Sequence, residues 1–376
     1  MSEPSLNAST SRVEKTGPHS PTEGALRAVD AAANRSREGV RVVEDFARFV
    51  LDDRHLVDCC KQLRHDLTTA LVALPLADRL ALRETQADVG TELTSEAERR
   101  RTTTADVLAA NCTRLQEGLR SLEEFGKLLD SSFAAAMKGL RYRAYTLQRA
   151  VQITHTSRLR LATVQLYVLV DGCRCENAFT RLVGELLDAE VDAIQLRDKS
   201  LDDRQLLARA RRLCELTHRR NSPEQQPADS RTLCLVNDRP DIARLARADG
   251  VHLGQDDLTV KDARTLLGPE AVIGVSTHSI EQARQAVLDG ANYIGVGPTF
   301  PSRTKQFDDF PGLDFLRSVA AEISLPALAI GGITLENLPE VLATGVPGVA
   351  VGSAITGATR PGELAARMRE ALRRDL

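Results

Sequence analysis

Tryptophan is absent from this 376-residue chain, and aromatic residues of every kind make up only 3% of it. A stacking platform for single-stranded nucleic acid needs interleaved aromatic faces, so that class is excluded. Positive charge is not in excess either. Lys and Arg number 49 against 52 Asp and Glu, a formal net charge of −3, without the basic field that a nucleic-acid partner calls for. No apolar run approaches the roughly 18 residues needed to span a bilayer, so no membrane helix is expected. The first 22 residues are rich in Ser, Thr and Pro and have no apolar core; they read as a disordered tail rather than a secretory signal. The seven Cys are scattered, with no CxxC or HxxxH pairing to suggest zinc, and are expected to be reduced structural thiols of a cytoplasmic protein. What remains, 42% hydrophobic and 27% charged, is an ordinary globular composition long enough for two or three domains.

Helix breakers are scarce in one half only. Of 15 Pro, Pro75 alone lies between residues 22 and 222; of 24 Gly, five fall in 25–171 and seventeen follow. A stretch with so few turn residues cannot hold many short strands, so residues 23–155 are expected to form an all-helical domain, with 156–164 as a linker to the remainder, 165–376. The front half also repeats itself. EGVRVVEDFAR at 38–48 and EGLRSLEEFGK at 117–127 lie 79 residues apart. On a helix, Val40, Val43, Ala47 and Val50 make an apolar stripe matched by Leu119, Leu122, Gly126 and Leu129. Glu38, Arg41 and Asp45 fall opposite, as do Glu117, Arg120 and Glu124. Two readings stay open: solvated outer faces, or polar stripes facing one another across a pseudo-twofold cleft.

From residue 165 onward short apolar runs alternate with amphipathic segments. The runs are QLYVLV, DAIQLR, TLCLVN, GVHLG, AVIGVS, NYIGVG, PALAI and GVAVG, with helical patterns such as 202–218, 279–289 and 336–343 between them. Eight βα units imply a parallel sheet, best closed as a (β/α)₈ barrel, although an open doubly wound sheet gives similar local signals. The fold class is therefore α/β, a C-terminal barrel after an all-α domain.

Function in such a barrel sits at the carboxyl ends of the strands. The second ends Gln195-Leu196-Arg197-Asp198-Lys199, where alternation puts Gln195, Arg197 and Lys199 on one side, a set suited to phosphate. The third ends Asn237-Asp238 and the fourth runs into Gly254-Gln255-Asp256-Asp257, carboxylates that a Mg²⁺ bridging a pyrophosphate needs. Asp256 also reads as a cap of the following helix. The fifth ends Ser276-Thr277-His278; His252 and His278 read as structural histidines sooner than catalytic ones. A long loop from Gly297 to Gly312 carries Ser302, Thr304 and Lys305 and has the length of a lid. Gly331-Gly332 and Gly352-Ser353 close the last two strands, where backbone amides commonly receive phosphate. Two anion sites imply two phosphorylated substrates joined in one reaction. No Cys–His or Ser–His nucleophile pattern is present.

In QLRDK, VNDRPDIARLARADGVHLGQDD, IGVSTHS, YIGVGPTFPSRTK, ALAIGGIT and GVAVGSAI, residues 165–355 resemble the thiamine-phosphate synthase family. The resemblance implies Mg²⁺-assisted, dissociative condensation of 4-amino-2-methyl-5-hydroxymethylpyrimidine diphosphate with a thiazole phosphate, releasing pyrophosphate, and CO₂ when the thiazole is carboxylated. By position it implies pyrimidine-diphosphate contacts at Gln195, Leu196, Arg197, Asp198, Lys199, Asn237, Ser276 and Lys305. The thiazole-phosphate contacts fall at Ser302, Arg303, Thr304, Gly332, Gly352 and Ser353, and the magnesium ligands at Asp238 and Asp257. Arg197, Lys199, Ser276 and Lys305 would carry the catalysis. Ser302 departs from the family's usual Thr but keeps the hydroxyl. RAVDAAANRSREGVRVVEDFARFVLDD, KQLRHDL and DVGT (Asp88–Thr91) resemble a hydroxymethylpyrimidine phosphate kinase domain fused ahead of this synthase in some bacteria, which implies ATP, although no GxxxxGK[ST] loop is present. The alternatives are a tautomerase-like or regulatory barrel paralogue and a helical interaction or dimerisation module. The expected partners are the two small phosphorylated substrates, with neither nucleic acid nor membrane, and with homo-oligomerisation left open.

Overall fold

A computed structural model describes residues 20–83, 101–221, 231–301 and 311–374. The tail before residue 20, the DVGT stretch and Ser302–Lys305 lie outside the described residues. The front half is helical: α1 (Pro21–Phe46) running into a π-turn (Ala47–Leu51), α2 (Arg54–Ala70), α3 (Leu76–Ala81), α4 (Thr104–Gly126) and α5 (Ser131–Arg160). With no Pro or Gly between Gly139 and Gly172, nothing stops α5 early, and the stretch read as a linker begins as helix. Thr103 starts α4 with a capping box: its hydroxyl accepts from the Asp106 amide at 3.1 Å, and the Asp106 carboxylate accepts from the Thr103 amide at 3.0 Å.

The molecule divides into two units, one of Leu63–Ala144 with the residues up to Val42, the other of Val43–Gln62 with Tyr145 onward. In the first unit the repeat builds its own interface. A Cβ on Gly39 would lie 3.0–3.1 Å from Asn111 O and Leu115 Cβ, and one on Gly118 would lie 2.3 Å from Ser36 Oγ and 3.2 Å from Ala32 O. Adding 79 to 32, 36 and 39 gives 111, 115 and 118, so each helix meets its copy through equivalent positions, and each glycine is the point of closest approach. Glu38, Arg41, Glu117, Arg120 and Glu124 are exposed, with Arg120 paired to Glu124 at 2.9 Å, so in this unit they form solvated faces and not a buried cleft. Among the described residues of this unit the buried acids are Asp30 and, within the second copy of the repeat, Glu123. Asp30 holds Arg83 at 2.7 and 2.9 Å, and Glu123 holds Arg141 at 2.8–2.9 Å.

In the second unit eight parallel strands, β1 (Leu166–Val170), β2 (Ala193–Leu196), β3 (Leu233–Asn237), β4 (Gly250–Leu253), β5 (Val272–Thr277), β6 (Tyr293–Val296), β7 (Ala327–Ile330) and β8 (Gly348–Val351), close into a barrel in sequence order. All eight expected runs are strands, and closure by β1 on β8 (Leu166 beside Val349) rules out the open sheet. Strands walled by helices on one side and packed core on the other are buried on both faces, which explains the unbroken apolar runs. Tyr167, Ala193, Leu235, Val272, Tyr293, Leu328 and Ala350 fill the interior, two large rings offset by small neighbours. Between the strands run helices such as Asp203–Arg220, started by Asp202 accepting from the Gln205 amide at 2.8 Å, and Ile280–Asp289, started by Ser279. Thr259, not Asp256, caps the helix that follows β4. Residues 43–62 are pinned to this unit by buried Asp53, whose carboxylate accepts from the Leu56 amide at 2.8 Å and the Ser324 amide at 2.8 Å. All seven cysteines are free thiols. Among the described residues no helix is long and apolar enough to cross a membrane.

Candidate active site

Because the strands are parallel and closed, all their carboxyl ends reach one rim. At the end of β2, Gln195 is 1% exposed, and among the described residues its amide nitrogen has no hydrogen-bond partner. A buried donor left in that state costs about 1–3 kcal/mol, so the position suits a ligand that brings an acceptor. Leu196 alternates to the opposite face and is fully buried. Arg197 is half-buried, its amide bound to Val170 O at 2.8 Å. Lys199 is exposed and forms an ion pair with Asp238 at 3.1 Å. Asp198 is engaged otherwise: its carboxylate accepts from the Gly172 amide at 3.0 Å and from the Ser200 amide and hydroxyl at 2.8 and 2.6 Å. Burial opposes its ionisation, but these bonds hold the carboxyl below its usual range, so Asp198 organises the loop.

β3 ends at half-buried Asn237, and Asp238 follows in the left-handed region (φ 59°) with its amide donating to His252 O at 2.8 Å. That turn presents the Asp238 carboxyl to Asp257, which follows β4 and accepts from the Gly254 amide at 2.6 Å. Burial first, and Asp238 second, push Asp257 above the ordinary carboxylate range, while the Gly254 amide and Lys199 act against the shift. Two acids held against each other this way are a site short of positive charge. Among the described residues no group of three His, Cys, Asp or Glu is arranged to hold a metal, so the pair supplies two hard oxygen donors and leaves the other positions open. That donor set fits Mg²⁺, which keeps waters and takes phosphate oxygens beside one or two carboxylates.

Ser276, at the end of β5, is half-buried, and its hydroxyl lies 2.9 Å from His252 Nε2. His252 Nδ1 lies 3.0 Å from the Tyr293 hydroxyl, itself 2.9 Å from the Tyr167 hydroxyl. Burial, helped by Arg197 and opposed by Asp257, pushes the His252 imidazole down to about 4, so it is neutral near pH 7. His278 is tied to Gly297 O at 2.6 Å. On the other side of the rim Gly332 takes φ 65°, a conformation that favours glycine, and its carbonyl accepts from Asn337 Nδ2 at 2.9 Å. Gly352 precedes the short helix Ser353–Thr356, with Ser353 exposed.

The rim thus brings together Gln195, Arg197, Lys199, Asn237, Asp238, Asp257 and Ser276 from four successive strands, with Gly332, Gly352 and Ser353 on the last two. Ser302, Arg303, Thr304 and Lys305 lie outside the described residues. Sequence reasoning passed over the two tyrosines behind Ser276. The signal was available, since Tyr167 and Tyr293 are two of only four Tyr in the chain and stand in otherwise aliphatic strands.

The family described as Thiamine monophosphate synthase matches residues 166–355, and the ThiD2 family matches residues 27–150. A thiamine-phosphate synthase of Rhodopirellula baltica is 42% identical over 93% of this chain and 93% of its own length. One from Synechocystis is 40% identical over 91% of this chain and 94% of its own. A solved structure, thiamine phosphate pyrophosphorylase from Pyrococcus furiosus, is 33% identical, covering 57% of this chain and 97% of that one with a TM-score of 0.49.

Proposed function

Because the chain belongs to the thiamine monophosphate synthase family and is a transferase, we propose that it joins 4-amino-2-methyl-5-hydroxymethylpyrimidine diphosphate to a thiazole ethyl phosphate, giving thiamine monophosphate and pyrophosphate. The observation that carries this reading is the Asp238–Asp257 pair beside Lys199 and the unpartnered Gln195 amide, an acidic and a basic group on one rim next to a buried donor without an acceptor. Gln195, Asn237 and Ser276 hold the aminopyrimidine, while Arg197, Lys199 and Lys305 hold its diphosphate. Asp238 and Asp257 would hold Mg²⁺, which when bound would supply positive charge against the departing pyrophosphate. Leu196 packs behind the strand and Asp198 fixes the loop that carries Lys199. Once the C–O bond breaks, the aminopyrimidine ring delocalises the positive charge left on its exocyclic methylene. The cationic side chains keep the pyrophosphate apart from that carbon. Ser302, Arg303, Thr304 and the amides at Gly332, Gly352 and Ser353 hold the thiazole phosphate so that the ring nitrogen meets the carbon and forms the new C–N bond. A carboxylated thiazole loses CO₂ in the same turnover.

Purified full-length protein given both substrates and Mg²⁺ is expected to form thiamine monophosphate, read by chromatography. Folded protein that forms none overturns the reading.

For the front half the ThiD2 match over residues 27–150 supports a pyrimidine phosphate kinase, which would supply the diphosphate that the barrel consumes. The exposure of the Glu38/Arg41 and Glu117/Arg120 stripes leaves its residues unassigned. In the full chain carrying Asp238→Asn to stall the barrel, ATP, Mg²⁺ and hydroxymethylpyrimidine phosphate are expected to accumulate the diphosphate. No consumption of ATP would favour the interaction-module reading.

A further inference from the structure

Tyr167, Tyr293, His252 and Ser276 form one hydrogen-bonded row from the barrel interior to its rim, with successive separations of 2.9, 3.0 and 2.9 Å. The first three are buried and Ser276 is half-buried at the ligand end. The row has space made for it. A Cβ on Gly274 would fall 2.0 Å from Tyr293 Cζ, so the neighbouring strand can pass the phenol ring only with glycine there.

A buried imidazole set between two hydroxyls, as His252 is, uses one N–H and one bare nitrogen, so the hydrogens along the row can run in only two directions. In the first, Ser276 donates to Nε2, Nδ1–H donates to Tyr293, and Tyr293 donates to Tyr167. The Tyr167 hydroxyl hydrogen then needs an acceptor beyond the row. Among the described residues Tyr167 has no hydrogen-bond partner other than Tyr293, and Ala193, Leu235, Val272, Leu328 and Ala350 are its apolar companions in the core. In the second direction Tyr167 donates to Tyr293, Tyr293 donates to Nδ1, and Nε2–H donates to Ser276. Every hydrogen inside the row is then used, and only spare lone pairs on Tyr167 go unmatched. A buried orphan donor is rarer and costlier than an acceptor with an unused lone pair, so the apolar end of the row selects the second direction.

From this geometry we infer that His252 carries its proton on Nε2 and gives it to Ser276 Oγ, which leaves the Ser276 hydroxyl hydrogen free to point at the substrate. Ser276 then serves as a donor, and the ligand atom it meets is an acceptor, such as an unprotonated nitrogen of a heteroaromatic ring. That step rests on the proposed synthase reading, in which Ser276 meets the aminopyrimidine. His252, Tyr293 and Tyr167 touch no substrate; they are positioning residues that fix which way the Ser276 hydroxyl faces.

Nitrogen-15 NMR of the histidine-labelled full-length protein tests the direction without reference to activity, with the His252 signals identified by their loss in His252→Gln. The expected spectrum shows Nε2 protonated and Nδ1 bare; the reverse tautomer overturns the proposal. Steady-state kinetics test its consequence. His252→Leu removes the donor to Ser276 and is expected to raise KM for the pyrimidine diphosphate roughly tenfold, about one charge-assisted or well-placed hydrogen bond, with a smaller change in kcat. His252→Gln restores an N–H and is expected to recover most of that loss. Equal losses in Leu and Gln variants that both keep the native circular-dichroism spectrum would contradict the positioning role. An Nε2-protonated His252 in a protein that makes no thiamine monophosphate would leave the row intact and sink the synthase reading instead.

Discussion

Polar groups from β2, β3, β4 and β5 meet at one rim of the barrel although 81 residues of chain separate Gln195 from Ser276 (276 − 195). In the helical unit most charged residues of the repeat run along two helices in solvent, with Glu123 on Arg141 the buried exception, while the repeat's glycines do the joining. The difference is one of topology. A closed parallel barrel delivers every strand end to the same place, so a residue's position at a strand end already says where its side chain goes. A helix pattern says which residues share a face and leaves open what that face meets.

Removing one rim group should have the largest effect on activity and little on stability. Asp238→Asn is expected to lower turnover roughly a hundred- to thousandfold, the usual loss for a charge-stabilising group in a reaction of this kind. Melting should stay near that of the parent or rise, since one of two opposed carboxylates is gone. Activity and stability falling together would mean that the rim holds the barrel together rather than serving chemistry.

In the helical unit the order should reverse. Gly39→Val and Gly118→Val force side chains into the two equivalent close approaches. Each is expected to destabilise by about 1–3 kcal/mol in denaturant unfolding, because overpacking and a β-branched residue in a helix act in the same sense. Condensation of ready-made diphosphate should persist in both wherever the protein remains folded. Unequal losses, one near zero, would remove the pseudo-twofold interface.

The smallest effect belongs to the charged stripe. Arg41→Ala at its exposed site is expected to move stability by less than about 0.5 kcal/mol, as surface substitutions usually do. A loss of several kcal/mol would mean that the stripe is an ion-paired interface after all.

The barrel was legible because each of its eight strands is an apolar run bounded by turn residues. The gathering of polar groups at its rim was legible because a closed parallel barrel brings every strand's carboxyl end to one side. Asp238 and Asp257 were readable as a pair for that reason, 19 positions apart in the chain (257 − 238) but on adjacent strands. Other features depended on which atoms meet in three dimensions. Asp198 shares the strand-end motif with Arg197 and Lys199, yet its carboxylate turns back onto Gly172 and Ser200. Asp53 caps the helix after it through the Leu56 amide, and nothing local in the sequence reveals that its second oxygen binds Ser324. In the repeat, the matched Glu and Arg drew notice while the matched Gly carried the packing, because identity between copies does not say which face is buried.

In the proposed function the rim pair, with Lys199, binds a diphosphate through a divalent cation. Equilibrium binding of inorganic pyrophosphate to the full-length protein, with Mg²⁺ and then with the metal removed by EDTA, tests it most directly. Binding that requires Mg²⁺ and is lost in Asp238→Asn is the expected result; equal binding with EDTA, or in the variant, would contradict it.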